Sequence, residues 1–247
     1  MTNYSWNWSV FFQSVPSGDA TYIDWIIAGL IGTIVLSITA WILALIMGGI
    51  IGTLRTVKNP IISSIASGYI ELFRDIPLLV QLFIWFFVIP EFLPQTARDA
   101  LFQMPPLYSQ FLTAWICLGL FTSARIAEQV RTGIQAVPDG QTAAGLALGF
   151  TTLQIYFTVR IPQAIRIIMP ALTSEFLNIF KNSSVATTIG FIELSRQAQQ
   201  LVDYTAQPYE AFIVITALYM LVNIIVMLLM HKLEKKLQIP GYITGDK

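Results

Sequence analysis

Charge is scarce in this sequence, so the ionisable side chains that interrupt its apolar stretches are read first. Glu71, Arg74 and Asp75 stand in YIELFRDIPLLVQLFIWFF, residues 69–87. Spacings of three and four put Glu71 beside both Arg74 and Asp75 on one helical face. Arg125 and Glu128 lie three apart in FTSARIAEQVRTGIQAVP, on adjacent helical positions. Arg166, Glu175 and Lys181 recur through residues 163–190, where Lys181 is followed by Asn182, Ser183 and Ser184. A charge at bilayer depth costs on the order of 3 kcal/mol on insertion scales unless it is paired or wet. These groups must therefore look at protein or a cavity, and their chemistry is pairing and binding. Bond-making machinery is missing: there is no Gly-x4-Gly-Lys-Ser/Thr phosphate loop, no His-Glu-x-x-His, and one histidine, His231, at the end of an apolar run. The chain is expected to bind neither ATP nor metal and to have no cofactor of its own.

The elements that carry these residues follow from composition. Apolar residues make up 55% and charged residues 11%, against about a quarter charged in soluble domains, which places the chain in the membrane class. Zero net charge gives no electrostatic case for nucleic acid. Residues 25–54 hold no charge and exceed the roughly 20 needed to span. Gly29, Gly32, Gly48, Gly49 and Gly52 offer close helix contacts along that span. A second, less regular span is expected over 61–90. A polar loop with Arg98, Asp99 and Pro105-Pro106 follows, then a third span over 109–130. The fourth, 163–190, is so polar that other helices must sheathe it. After an outer segment, 191–209, the fifth covers the uncharged run 211–230 and ends in His231, Lys232, Lys235 and Lys236. Cys117, the single cysteine, reads as a small packing residue. Residues 1–20, with Trp6, Trp8, Phe11 and Phe12, read as an extracytoplasmic interfacial segment. No basic stretch or Ala-x-Ala site marks a removable signal peptide there. Residues 21–240 form the membrane domain and 241–247 a cytoplasmic tail. The fold class is thus an all-α integral membrane protein with about five transmembrane helices. Lys/Arg excess marks the cytoplasm: Arg55, Lys58, Arg131, Arg160, Arg166, Lys232, Lys235, Lys236 and Lys247 share one side, with Arg98 and Arg196 on the other. The N-terminus then faces out and the C-terminus in.

Residues 137–166 differ from the rest. Pro138-Asp139-Gly140 is a turn signal. Asp139 can cap a short helix of Ala143, Ala144, Leu146, Ala147 and Leu148, which Gly149 is placed to end. Thr151 and Gln154 fit a capping box for a second short helix, and Pro162 marks a break or kink near its end. Two short helices with an Ala/Gly surface make a knob small enough to sit deep in a partner's cleft.

The segment resembles the cytoplasmic coupling loop of permease subunits in bacterial ABC importers. Gly140-Gln141 precede Ala143-Ala144-Gly145, which occupy the family's Glu-Ala-Ala triplet. Gly149, a nine-residue spacer and Val159-Arg160-Ile161-Pro162, for Ile-x-Leu-Pro, complete the pattern. Ala143 departs from it, standing where the family often has Glu. Residues 69–87 resemble the Glu-Leu-Phe-Arg-x-x-Pro-Leu-Leu-Val-Gln run of the polar amino-acid subgroup, and residues 178–184 its Lys-Asn/Asp-Ser run. The resemblance implies a type I ABC importer permease fold with a cytoplasmic coupling helix. It also implies a second permease subunit, identical or homologous, two ATP-binding cassette subunits that hold ATP-Mg, an extracytoplasmic solute-binding protein and an amino-acid substrate. Gly140, Gln141, Ala143, Ala144, Gly145, Gly149 and Pro162 would then couple to the ATPase. Arg125, Glu128, Glu71, Arg74, Asp75, Lys181, Asn182 and Ser184 would line the substrate path, although hydrogen bonding between helices explains the last three equally. Many relatives carry an aromatic where Arg125 stands; a guanidinium there suits a substrate with an extra carboxylate, glutamate or aspartate. The other reading of Arg125 is a structural pair with Glu128 or Glu71. The same architecture importing glutamine or a basic amino acid is the alternative function. A stand-alone membrane enzyme or channel lacks any catalytic constellation to support it.

Overall fold

A computed structural model describes residues 4–16 and 18–237. The tail 241–247 lies outside the described residues. Among these, the extended structure is one isolated bridge, Ser14 to Thr21, and the named elements are helices. Three are long and apolar enough to cross a membrane: α1 (Tyr22–Leu54), α5 (Pro106–Gln135) and α10 (Pro208–Leu237). The helix α2 (Pro60–Asp75) and the segment Leu78–Phe92 qualify together, as a broken span or a re-entrant loop. The fourth expected span is α8 (Ile161–Asn182), whose Arg166, Glu175 and Lys181 keep it outside the apolar class, as its charges foretell.

Prolines set where helices break. Pro77 pushes Ile76 to φ −90°, ψ 129°, ending α2, and itself caps α3 (Leu78–Phe83). The second span, expected to be irregular over residues 61–90, is interrupted here. A π-turn, Ile84–Val88, precedes Pro90, and another, Tyr156–Arg160, precedes Pro162. A proline ring clashes with the carbonyl four residues back and gives it no N–H. The wider i→i+5 register accommodates this: Ile161 N–H donates to the Tyr156 carbonyl. The remaining helices are α4 (Gln95–Gln103), α6 (Asp139–Ala147), α7 (Thr152–Ile155) and α9 (Leu194–Thr205).

The chain divides into two units. Unit one comprises Met1–Trp41, Pro77–Gly119 and Asn178–Ile224. Its core joins Val10, Phe11, Ile26, Leu194, Leu201 and Ile215. The N-terminal turn Trp8–Phe12 buries Val10 and Phe11 and leaves Trp6, Trp8 and Phe12 exposed. It is held by Glu210, which accepts from the Asn7 N–H at 2.6 Å and from Tyr4. Gly29 and Gly32 let α1 lie on the backbone before α9: a Cβ at Gly29 would stand 2.8 Å from Gln197, and one at Gly32 would strike the Ile192 carbonyl. Cys117 is buried, as expected of a packing residue.

Unit two comprises Ile42–Ile76, Leu120–Leu177 and Ile225–Lys247. Here Gly48 and Gly52 seat α1 on α5; a Cβ at either would lie 2.7 Å from Ile126 or Val130. Gly49 is the exception among the five glycines, with open space where its Cβ would be. It sits one position off the seam, which a period of 3.6 turns outward. The opposite face of α1 exposes Ile27, Ile31, Val35, Ile42, Ile46 and Ile50, the apolar stripe that lipid requires.

Glu193, before α9 and outside the spans, is fully buried and forms no ion pair among the described residues. It accepts from Tyr219 Oη at 2.6 Å, from the Arg196 N–H at 2.7 Å, and from Thr187. Burial raises its carboxyl above the usual range, and the hydrogen bonds only partly oppose this. The folded chain therefore keeps a proton that the unfolded chain loses, and stability falls as pH rises above about 4.5, the ordinary value. Glu193→Gln should flatten that decline, as measured by thermal unfolding of the purified protein between acid and neutral pH.

Candidate functional site

The elbow is built from local signals and belongs to unit two. Helix α6 starts at Asp139 behind Pro138, and no side chain caps it. Asp139 is thus the first helical residue and not the expected cap; its carboxylate instead accepts from Arg160 Nη2 at 2.8 Å. In the first turn it still faces the positive end of the helix dipole. The helix ends at Ala147, so Leu148 is the C-cap and lies outside it. Gly149 follows at φ +82°. Phe150 N–H donates to the Gly145 carbonyl at 3.1 Å and Gly149 N–H to that of Leu146 at 3.0 Å, the two bonds of a Schellman motif. Thr151 and Gln154 form the expected capping box on α7. Pro162 lies in the first turn of α8 and not at the end of α7, since the π-turn carries the chain from one helix into the next.

Gly145 is buried against Ile155, and a Cβ there would stand 2.9 Å from that side chain. Gly140 and Gly149 face open space, and Ala143 and Ala144 are exposed. The outer surface of the elbow is apolar: Leu146, Leu148, Phe150, Leu153 and Phe157 are all exposed, Leu148 at 78%. Exposed apolar patches of this kind mark protein or membrane contacts. Gln141 accepts from Gln163 Nε2 at 2.5 Å, tying α6 to α8.

The charged residues of unit two form two clusters. Arg125 grips Glu175 with both atoms of one edge, Nε to Oε2 at 2.8 Å and Nη2 to Oε1 at 3.0 Å. Gln129, one turn on, adds Nε2 to Oε1 at 3.2 Å. The Glu175 side chain is 8% exposed and that of Arg125 is 43% exposed. Arg125 therefore pairs with neither Glu128 nor Glu71. Glu128 is taken by Arg131, at 2.5 Å, and by Arg55, whose Nε also reaches Ser67 Oγ at 3.0 Å. Glu71, Arg74 and Asp75 are exposed on α2, and no ion pair joins them among the described residues. Their shared helical face does not bring them into contact.

Lys181, Asn182 and Ser184 lie in unit one, where α8 gives way to the 3-10 turn Ser183–Ile189. Lys181 is exposed, Asn182 and Ser184 half-buried, and Ser184 Oγ donates to the Lys181 carbonyl at 2.7 Å. Sequence reading passed over Glu175 as a partner and Gln129 altogether. The four-residue spacing of Arg125 and Gln129 was the available signal, because it puts two donors on one face toward a common acceptor. No cluster of three or more His, Cys, Asp or Glu could hold a metal among the described residues.

Long apolar helices with ion pairs between them define a multi-pass membrane protein. The fold agrees. A solved amino acid ABC transporter with histidines superposes with a TM-score of 0.71 at 32% identity, covering 87% of this chain and 95% of that one. Residues 43–239 match the family described as binding-protein-dependent transport system inner membrane component. The glutamate/aspartate import permease protein GltJ of Escherichia coli (strain K12) is 46% identical over 241 residues, 97% of this chain and 98% of that one. The nopaline transport system permease protein NocM of Agrobacterium fabrum is 34% identical over 198 residues, covering 78% and 80%. The chain belongs to the binding-protein-dependent transport system inner membrane component family, and is a permease subunit of an ABC importer with the type I fold.

Removing one member of the Arg125–Glu175 pair leaves a buried charge alone. Arg125→Met should destabilise the purified subunit by on the order of 3 kcal/mol. Adding Glu175→Gln should restore most of that loss, as read by thermal unfolding of the single and double variants in detergent.

Proposed function

We propose that this chain is the transmembrane subunit of an ATP-driven importer of acidic amino acids, glutamate and aspartate, in the bacterial inner membrane. The observation that carries the reading is the 46% identity, along 97% of the chain, to a glutamate/aspartate import permease. Arg125 supports it. Glu175 occupies only one edge of the guanidinium, and Nη1 makes no hydrogen bond among the described residues. An exposed half-guanidinium suits a second substrate carboxylate, which glutamine or a basic amino acid would lack. The residues proposed to line the path in unit two are Arg125, Glu128, Glu71, Arg74 and Asp75. Those proposed in unit one are Lys181, Asn182 and Ser184. A second permease subunit, or the water of the path, covers the exposed charges of α2.

The elbow, with Gly140, Gln141, Ala143, Ala144, Gly145, Gly149 and Pro162, is the proposed seat of the ATPase. ATP and Mg²⁺ are held and hydrolysed on two cassette subunits. Their closure draws the elbows of two permease subunits together and tilts the attached helices. The path then opens outward to receive substrate from the extracytoplasmic solute-binding protein, and hydrolysis resets the inward state. The N-terminus faces out and the C-terminus the cytoplasm, following the excess of Lys and Arg.

Gly149 tests the docking. Its φ of +82° disfavours any side chain, and a Cβ there points into open space where a partner would sit. Gly149→Trp should abolish uptake in proteoliposomes carrying the full importer while the chain stays in the membrane; unchanged uptake refutes the assignment. In the wild type, aspartate should compete with labelled glutamate. Competition by arginine or histidine and not aspartate would transfer the substrate to the basic class. Orientation has its own check: a cysteine at Thr142 should react with an impermeant maleimide only from the cytoplasmic side, and one at Trp8 only from outside.

A further inference from the structure

The elbow is fastened to the membrane helices by a chain of side chains that its backbone does not require. Tyr156 stands at the start of the π-turn, and its hydroxyl donates to the Thr56 carbonyl at 3.1 Å. That carbonyl lies just beyond the end of α1, where backbone acceptors lack partners within the helix. Thr56 Oγ1 is also within 3.3 Å of the same hydroxyl. One π-turn further on, the Arg160 guanidinium lies over the Tyr156 ring, 5.8 Å from its centroid. From there it reaches α6, through Nε to Thr142 Oγ1 at 3.0 Å and Nη2 to Asp139 Oδ1 at 2.8 Å. The Arg160 side chain is 15% exposed and that of Asp139 is 98% exposed. The exposed ion pair alone is worth little. The near-buried guanidinium, sandwiched between ring and hydroxyl, is the ordered part. On the other side of Thr56, its neighbour Arg55 pairs with Glu128 of α5 and bonds to Ser67 of α2.

We propose that Tyr156 and Arg160 form a strut that carries displacement of the elbow helix to the end of α1, and through Arg55 to α5 and α2. They are positioning residues for coupling, distinct from the elbow surface that would touch the ATPase. Residues 156 and 160, four apart on the π-turn, set the guanidinium over the ring. Without the strut, the elbow keeps its chain connections to α5 and α8 and the Gln141–Gln163 bond, but loses its side-chain link to the end of α1. Cassette closure would then be absorbed by the elbow's hinge instead of moving α1. The inference rests on the elbow being the ATPase seat.

The test is the number of ATP molecules hydrolysed per substrate imported, measured in proteoliposomes holding both permease subunits, the cassettes and the binding protein. Arg160→Ala should raise that number several-fold, while the cassettes still copurify with the permease. Arg160→Lys, which keeps charge but not the fork, should recover part of it. Tyr156→Phe, which removes only the bond to Thr56, should raise the number in the same direction. The double variant should be no worse than Arg160→Ala, since both residues act in one series. An unchanged ratio in Arg160→Ala, or full additivity of the two variants, overturns the strut. Leu148→Arg, on the outer surface of the elbow, separates this from the reading beneath it. If the cassettes still copurify with that variant, the elbow is not their seat; if they are lost and Arg160→Ala keeps the ratio, only the strut fails.

Discussion

A carboxylate or guanidinium in the hydrocarbon has no water to fall back on, and that constraint orders the interior of this subunit. Glu175 is nearly buried on α8, a helix too charged to face lipid. It is tolerable because Arg125 and Gln129, one turn apart on α5, place three donors on it. Glu128 is treated likewise by Arg55 and Arg131. Each cluster ties α5 to a different neighbour, α8 in the first case and α1 in the second. The charges are therefore what fixes these helices against one another, where apolar contact alone could slide. Apolar seams add closeness but little direction: lipid solvates an aliphatic side chain as well as protein does. Gly48 and Gly52 bring the backbones of α1 and α5 together so that Arg55 can reach Glu128 at all.

The backbone obeys the same rule. Inside a membrane every broken helix must account for its lost hydrogen bonds. The π-turn before Pro90 keeps its carbonyls engaged in a wider register where a plain α-helix would leave them orphaned, and the turn before Pro162 does the same in the elbow, outside the spans. At Ile76-Pro77 the chain leaves helical geometry altogether, and Gln81 N–H restarts the ladder on the Pro77 carbonyl. Proline here changes helical register or direction.

What the sequence revealed and what it hid divide by range. The Schellman ending at Gly149 and the Thr151–Gln154 box depend on residues within five positions of one another, and both were legible. The uncharged runs announced α1 and α10 because spanning is a matter of length and composition. Asp139 misled because its type fits a cap, yet Arg160, twenty-one residues on, competes for the carboxylate. Arg125 misled for the same reason: Glu128 is close in sequence, but Glu175 is fifty residues away and wins. Gly49 shows a finer limit. Spacing identified a small-residue face, but only the observed seam decided that Gly48 and Gly52 lie on it and Gly49 does not. Pro162 was correctly read as a punctuation mark and misplaced by one element, because a π-turn before a proline leaves no signature in residue type.

The elbow poses the remaining physical question, how so little chain can be stiff. Helices of 9 and 4 residues are too short to persist alone in water. Their order must come from caps and contacts: the Schellman bonds, the capping box, Gly145 bare against Ile155, and the Arg160 clasp on Thr142 and Asp139. Capping interactions contribute about 0.5–2 kcal/mol each, far less than the burial that holds the long helices. In the coupling role proposed for it, an elbow assembled from such small terms would lose stiffness before it lost its fold, and damage to any one part would leave the membrane helices in place. The conspicuous glycines and alanines then have a divided purpose: Gly145 faces inward and permits the fold, while Gly140, Ala143, Ala144 and Gly149 face outward and keep the surface low. Bulk added on the two faces fails for different reasons, the first by forcing α6 off α7, the second by holding away whatever the apolar rim of Leu148 and Leu153 is meant to meet.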